Sequence, residues 1–169
     1  MSGLAGRERL QPSLLDRLTD NAPEQRRESQ DQQALTMQQL RQAVLRDLAW
    51  LLNTTNLAAI DDFATAPQAA ASTINFGVPG FTGLVSGSRK ASTLESALAE
   101  AIRRFEPRIR GDTLRVRIRE ESDDGAVPKM VFDIQGELWA QPVPQQLFLE
   151  TAIDIETRLA VVTDARARS

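Results

Sequence analysis

The final third of the chain alternates apolar and polar side chains with a period of two. Leucine, valine and isoleucine occupy every second position of residues 114–118, and arginines stand between them. Because neighbouring side chains of a strand point to opposite faces, this pattern is typical of a strand with one buried face. Residues 130–134 and 147–155 have a similar spacing and are separated by Pro142 and Pro144. The sequence therefore predicts about three strands in a small antiparallel sheet.

Two upstream stretches have the period of an amphipathic helix instead. Thr36 and Gln39 form a capping box at the start of the first stretch, and Ser92 and Glu95 form one at the start of the second. Pro107 ends the second helix. Helices followed by strands predict an α+β fold, in which two main helices pack against the antiparallel sheet. The predicted buried stripes are Leu40, Val44, Leu48, Leu51 and Leu52 in the first helix and Leu94, Leu98, Ala101, Ile102 and Phe105 in the second.

A short apolar motif precedes these helices. Leu14, Leu15 and Leu18 stand at helical spacing, as in one or two turns of a short amphipathic helix. The following residues 21–33 contain almost no apolar side chains, which is typical of a flexible tether. A motif of this kind is expected to dock on a partner or on its own domain. We therefore predict an N-terminal docking segment (1–20), a flexible linker (21–35) and an α+β domain (36–169).

The composition removes most routes to catalysis. Cysteine and histidine are both absent, so the chain has no disulfide, no thiolate nucleophile, no imidazole base and few ways to hold zinc. A carboxylate pair, one of the two lysines (Lys90 and Lys129) or a magnesium site are the routes that remain. We therefore expect a protein that has no enzymatic activity, no cofactor and no metal.

Charge and hydropathy favour a cytoplasmic protein that acts on other proteins. The chain has 20 basic and 23 acidic residues, and its net charge of −3 offers no general attraction for nucleic acid or an anionic membrane. The longest apolar run, residues 48–52, is far shorter than the roughly 20 residues of a membrane span. No secretory signal is visible in the first residues. We expect no nucleic-acid partner and no direct membrane insertion.

Glu106 is the acid on which an enzyme hypothesis would rest. It lies in an apolar-flanked motif, and a lysozyme-like peptidoglycan hydrolase would need it as a general acid. Nearby cations favour the charged form of a carboxylate, which has no proton to donate. A hydrolase that uses Glu106 is therefore the weaker alternative. The neighbouring cations are Arg103, Arg104, Arg108 and Arg110.

Three more arginines, Arg115, Arg117 and Arg119, lie on one face of the first predicted strand. They are either the solvated side of an amphipathic strand or a basic strip that meets acidic protein surfaces or phosphates. Nucleic-acid binding would need interleaved aromatic side chains, which this strip lacks. As a functional site we favour a protein contact that involves Arg115 and Arg117.

The sharpest local motif is Phe105-Glu106-Pro107-Arg108-Ile109, where the second helix meets the first strand. Proline restricts the backbone, so the acid and the base beside it have defined directions. One interpretation is an internal clasp, in which Glu106 pairs with Arg108 or with a helix-terminal group. The other is a docking corner that offers an anion and a cation to a partner. Sequence spacing leaves both interpretations open.

Four stretches of the chain together carry a family resemblance. In order, they are 10–20 (LQPSLLDRLTD), 46–54 (RDLAWLLNT), 72–79 (STINFGVP) and 105–109 (FEPRI). They resemble the TssE family of baseplate subunits in bacterial type VI secretion systems, which is related to wedge proteins of contractile phages. The sequence departs from the usual family pattern at Phe76, where tyrosine is common, and at Gly80, where aspartate is common. The resemblance covers nearly the whole chain.

The resemblance implies a structural role in the cytoplasm, at a baseplate docked on the inner membrane complex. It implies that Glu106, Pro107 and Arg108 form a docking corner for the wedge proteins TssF and TssG, with TssK as an additional candidate partner. Leu14, Leu15 and Leu18 would provide a second anchor. It also implies a sheet like that of the sheath proteins TssB and TssC, which interlock by exchanging strands. An exposed sheet edge could then template the first sheath ring.

Overall fold

The structure is a computed structural model that describes residues 13, 16, 18–19, 36–80, 88–121, 129–139, 145–154 and 159–165. Its helices are Met37–Leu52 (α1), Pro67–Ala70 (α2) and Ser88–Phe105 (α3), with short 3-10 turns at Leu57–Ala59 and Thr73–Asn75. Its strands are Arg115–Glu121 (β1), Lys129–Leu138 (β2), Gln145–Asp154 (β3) and Ala160–Asp164 (β4). The predicted linker (21–35) lies outside the described residues.

The start of α1 confirms the predicted capping box. The Thr36 hydroxyl accepts a hydrogen bond from the Gln39 backbone N–H at 3.2 Å, and the Gln39 side chain accepts one from the Thr36 N–H at 2.9 Å. These bonds satisfy two donors that a helix start would otherwise leave unpaired. At the other end, the Asn53 backbone N–H bonds to the Ala49 carbonyl at 3.1 Å, and the helix stops there.

The second predicted capping box is wrong. Helix α3 already includes Ser88, so Ser92 lies inside the helix and has no start to cap. The Glu95 side chain instead reaches the sheet, where it accepts the Ile118 backbone N–H at 2.9 Å. The predicted end of the helix is correct, because α3 stops at Phe105, two residues before Pro107.

Across the described residues, the sheet is a four-stranded antiparallel meander in the order β1-β2-β3-β4. The predicted α+β class is confirmed, with one strand more than the predicted three. The additional strand, β4, has the sequence Ala-Val-Val-Thr-Asp. Two adjacent valines break the alternation that marks β1, and five residues are a short run for a periodicity argument.

One face of the sheet is buried beneath α1 and α3. The register places Val116, Ile134 and Leu149 side by side on three strands, and all three side chains are buried. Phe132, one row along, is also buried. The predicted helix stripes supply another large part of this core. They are Leu40, Val44, Leu48, Leu51 and Leu52 from α1 and Leu94, Leu98, Ala101 and Ile102 from α3, with Phe105 partly buried beside them.

No helix in the described residues combines the length and the apolar content that a bilayer crossing requires.

The loop before α3 is fastened to the end of α1 by a backbone contact that depends on Gly77. The Val78 N–H bonds to the Thr54 carbonyl at 2.8 Å, and the Asn56 N–H bonds to the Val78 carbonyl at 3.0 Å. Gly77 has a φ of 123°, and a Cβ there would lie 2.4 Å from the Thr54 carbonyl oxygen. This close approach is possible only without a side chain.

We therefore expect Gly77→Ala to lower the free energy of unfolding by at least about 1 kcal/mol, because it adds backbone strain and a steric clash. Urea unfolding of the full chain measures the change. Gly111→Ala is the matched control, since its Cβ would meet only the Arg103 side chain, at 3.4 Å. The control should change stability by less than about 0.5 kcal/mol. Equal stability of both variants would contradict this account of the loop.

Candidate functional site

Five charged side chains of alternating sign form a continuous line through the molecule. We call this line the ion-pair chain. It begins in the docking segment, crosses the exposed side of α1 and ends at the corner between α3 and β1. Its members in order are Asp16, Arg46, Asp47, Arg108 and Glu106.

The corner is an internal clasp built around Glu106, which is only 2% exposed. Its backbone N–H closes the last turn of α3 by bonding to the Ile102 carbonyl at 2.8 Å. Its carboxylate accepts the Arg108 Nε–H at 2.6 Å and the Arg108 backbone N–H at 3.1 Å, and its other oxygen pairs with Arg108 Nη2. Pro107, which is exposed, lies between the two partners. Of the two interpretations left open by the sequence, the clasp is therefore present.

Arg108 also joins the corner to α1. Its Nη2 lies 2.5 Å from Asp47 Oδ2, so one guanidinium holds two carboxylates. Burial by itself would lower the pKa of Arg108, but the hydrogen bonds and charges of Glu106 and Asp47 outweigh it and raise that pKa above its ordinary value. Arg108 is therefore a permanent cation, and the two anions around it offset the cost of its burial.

Asp47 and Arg46 continue the line towards the docking segment. Arg46 donates its Nε–H to Asp47 Oδ1 at 2.9 Å and its Nη1–H to Asp16 Oδ1 at 2.6 Å. The hydrogen bond from Arg46 is the largest influence on Asp16, and it lowers the pKa of that carboxyl below its usual value. Ser13 adds a second bond to Asp16, from its hydroxyl at 2.7 Å. The docking segment thus contacts its own domain at Arg46.

Of the predicted apolar anchor, which comprises Leu14, Leu15 and Leu18, only Leu18 belongs to the described residues. Asp16 and Leu18 have helical backbone, and the Leu18 side chain is 75% exposed. Leu14 and Leu15 lie outside the described residues. The proposed partner contact of these three leucines stays a prediction.

The corner is also tied to the far end of β2. The Arg110 N–H bonds to the Glu137 carbonyl at 2.9 Å, and the Trp139 N–H bonds to the Arg108 carbonyl at 2.7 Å. Between these bonds, Ile109 and Leu138 form an isolated antiparallel bridge. Trp139 is 63% exposed and follows β2 directly, and its backbone is held beside Arg108, the residue after the exposed Pro107. Trp50, the other tryptophan, is half exposed beneath the Arg46 guanidinium, which lies 5.1 Å from its ring.

One arginine of the strip on β1, Arg119, is paired with acids of the sheet. Asp133 and Glu150 face each other across β2 and β3, and Arg119 Nη2 bridges them at 3.0 and 2.8 Å. This cation offsets the repulsion between two directly opposed acids. Arg115 is exposed and donates to the backbone carbonyls of Asp112 and Leu114. Arg117 is 76% exposed and lies 3.9 Å from Glu95, so Arg115 and Arg117 both present their charge to solvent.

Sequence analysis missed Asp16, Arg46 and Asp47 as members of the site. The sequence feature that could have pointed to them is the family resemblance, since all three lie in stretches that resemble the TssE family. The ion-pair chain joins the stretches 10–20, 46–54 and 105–109. The remaining stretch meets the same unit through Phe76, whose ring packs edge-on against that of Phe105 with centroids 5.2 Å apart.

The arrangement does not resemble a catalytic centre. Both oxygens of Glu106 accept hydrogen bonds from Arg108, and a general acid in this position would need to hold a proton there instead. Among the described residues, no group of three or more histidine, cysteine, aspartate or glutamate side chains is placed to hold a metal ion. The chemistry of the site is ion pairing between segments of the chain.

We expect Arg108→Ala to lower the free energy of unfolding by about 3–5 kcal/mol, since it leaves a buried carboxylate without its cation. Adding Glu106→Gln to that variant should recover part of the loss, because the neutral amide costs less to bury. Urea unfolding of both variants tests the coupling. Arg103→Ala, which removes an exposed pair with Glu100 at 3.7 Å, is the control and should cost less than about 1 kcal/mol. A loss for Arg108→Ala as small as the control would rule out a stabilising clasp.

The contact between Asp16 and Arg46 should weaken in acid. A carboxyl whose pKa is lowered on folding stabilises the folded state above its unfolded pKa of about 3.9 and loses that effect as the pH falls through the lowered value. Emission of Trp50 in a Trp139→Phe background reports the contact, because the ring lies against Arg46. Asp16→Asn in this background should change the emission at pH 7 and match the Trp139→Phe parent chain at strongly acidic pH. Identical emission of the two chains at pH 7 would contradict the contact.

Comparison with known proteins identifies the family. The model of the family described as baseplate wedge protein gp25 matches residues 38–143, which is more than half of the 169 residues. No curated protein matches the sequence. The matched range includes α1, α3, β1 and β2 and four of the five members of the ion-pair chain. The chain therefore belongs to the gp25 family of baseplate wedge proteins.

Proposed function

We propose that this chain is the TssE-type baseplate subunit of a type VI secretion system, where it links the baseplate wedge to the contractile sheath. The observation that carries the proposal is the meeting of the four TssE-like stretches in one structural unit. Three stretches are joined by ion pairs and the fourth by the contact between Phe76 and Phe105.

A structural role is also what the chemistry of the corner supports. The gp25 family is a structural component of baseplates. Glu106 gives both of its oxygens to Arg108, and it serves to hold Arg108 in place. The lysozyme-like alternative, which assigns Glu106 as a proton donor, finds no support in this geometry.

The wedge contact is proposed at the corner, with TssF and TssG as partners and TssK as an additional candidate. The buried clasp of Glu106 and Arg108 fixes the shape of the corner, whereas Pro107 and Trp139 are exposed on it. Tryptophan and arginine are enriched among the residues that dominate protein interfaces. A rigid corner that carries an exposed indole therefore fits a protein partner.

Three further contacts complete the proposal. The exposed Leu18, together with Leu14 and Leu15, would form the second anchor of the docking segment. On the sheet, Arg117 and its neighbour Arg115 would meet an acidic surface of a baseplate partner.

The sheet would template the first sheath ring by adding a strand from TssB or TssC at one edge, where backbone hydrogen bonds supply the affinity. The proposal includes neither nucleic acid nor insertion into a membrane.

Sheath assembly in cells tests the proposal, with a fluorescent sheath subunit as the reporter. Trp139→Ser should abolish most sheaths while the melting temperature of the purified chain stays near that of the unsubstituted chain, because the side chain is 63% exposed. Variants of Glu106 or Arg108 are less informative, since loss of the clasp also destabilises the fold.

The matched control is Ile60→Ser, which removes an exposed apolar side chain far along the chain from the corner. It should leave the sheath count unchanged. Normal sheaths in cells that lack this chain would overturn the proposed function. Normal sheaths with Trp139→Ser alone would leave the linking role in place and move the wedge contact away from Trp139.

A further inference from the structure

Both outer edges of the sheet carry a side chain from a helix, and the two side chains differ in chemistry. On β1 the group is the carboxylate of Glu95 from α3. On β4 it is the amide of Asn53, the residue that ends α1. Each of them bonds to backbone groups that point away from the neighbouring strand.

The edge of β1 is closed at its centre. Alternate residues of an antiparallel strand point their N–H and C=O groups to the same side. The Ile118 N–H points outward and donates to Glu95 Oε1 at 2.9 Å. The backbone N–H and C=O of Val116, two residues earlier, point to the same outer side. An added strand would have to replace a hydrogen bond to a charged acceptor, which is among the stronger hydrogen bonds in proteins.

The edge of β4 already carries a peptide-like group. The Ala160 N–H donates to Asn53 Oδ1 at 2.8 Å, and Asn53 Nδ2–H donates to the Ala160 carbonyl at 2.9 Å. These two reciprocal bonds are the pattern that a residue of a neighbouring antiparallel strand would make. The Asn53 side chain thus occupies the place of one peptide group at the beginning of β4.

The edge beyond Ala160 is where a longer partner could continue. Since the backbone N–H and C=O of Ala160 point outward, those of Val162 point the same way. In the described part of the chain, β4 pairs with β3 and has no strand on its other side. At the end of β4, Arg41 pairs with the Asp164 carboxylate and donates to the Gln146 carbonyl at 3.2 Å.

The side chains around this stretch favour an uncharged partner segment. Val161 is 59% exposed on the outer face of β4, and Ala152 lies beside it on β3. Thr163, the next outward-facing side chain, already donates its hydroxyl to the Glu150 carbonyl. A strand laid along β4 would therefore place an apolar side chain against Val161.

We propose that β4 is the edge that accepts the incoming strand, and that the Asn53 amide fixes the register at which this strand begins. The ligand is an extended peptide segment with an apolar residue opposite Val161. The inference rests on the proposed function, in which a sheath subunit supplies this segment. Glu95 excludes the same segment from β1.

A photo-crosslinking amino acid placed at Val161 or at Arg117 tests the choice of edge. Both side chains are exposed and lie on the same face of the sheet, on β4 and β1 respectively, so each is the matched control of the other. The full-length chain is expressed in cells that assemble fluorescent sheaths, and adducts are identified by mass spectrometry after irradiation. We expect the Val161 position to yield at least about fivefold more adduct with a sheath subunit than the Arg117 position.

The role of Asn53 has its own measurement. In Asn53→Ala the Val161 adduct should map to two or more positions on the sheath subunit that differ by two residues, because the start of the added strand is no longer fixed. A single unchanged position in that variant would overturn the role of Asn53.

The outcomes separate this inference from the proposed function. If sheaths depend on this chain but the adduct forms mainly at Arg117, or at neither position, the assignment to β4 is wrong and the linking role stands. If sheaths form normally without this chain, the linking role itself is wrong.

Discussion

The structure depends on a single guanidinium that is shared by two carboxylates. Burying a cation is costly, and Arg108 meets that cost by pairing with Glu106 on one side and Asp47 on the other. Because a guanidinium is planar and rigid, the two acids fix its orientation as well as its charge. The corner between α3 and β1 is thereby fixed to α1, and the direction in which the chain enters the sheet is set. Asp47 in turn orients Arg46, so the same interaction determines where Asp16 of the docking segment can bind.

Pro107 makes this interaction possible. It has no N–H to continue the helix, so α3 ends and the backbone turns at the residue between the two partners of the clasp. The Glu106 carboxylate then lies close enough to accept both the Arg108 backbone N–H and its guanidinium. The exposed surface and the buried ion pair are consequently two sides of the same turn. A partner that docks on Pro107 or Trp139 would contact a surface whose rigidity comes from charges that it never touches.

How much of this could be predicted from the sequence depends on the range of each interaction. The period of two in 114–118 and the capping box at Thr36 are local, and the structure confirms both. The Glu106–Arg108 clasp is also local. The sequence spacing predicted it as one of two open interpretations, the other being a docking corner. The pairing of Asp47 with Arg108 spans 61 positions, and no periodicity reports it. Glu95 was misassigned for the same reason, because its partner is a backbone N–H 23 positions away on a strand whose placement the sequence does not give.

The strand that the sequence missed is also an edge strand whose open side is only partly covered, and both facts have one cause. An edge strand buries less than a central one, so β4 needs no long apolar alternation and shows little of it. A bare edge would invite uncontrolled pairing with other chains. Two features limit that risk here, the five-residue length of β4 and the bidentate bond between Asn53 and Ala160. A neutral amide suits an edge that must stay selective, because it covers a peptide position without bringing a charge to it. A carboxylate such as Glu95 resists displacement more strongly and suits an edge that is to remain closed.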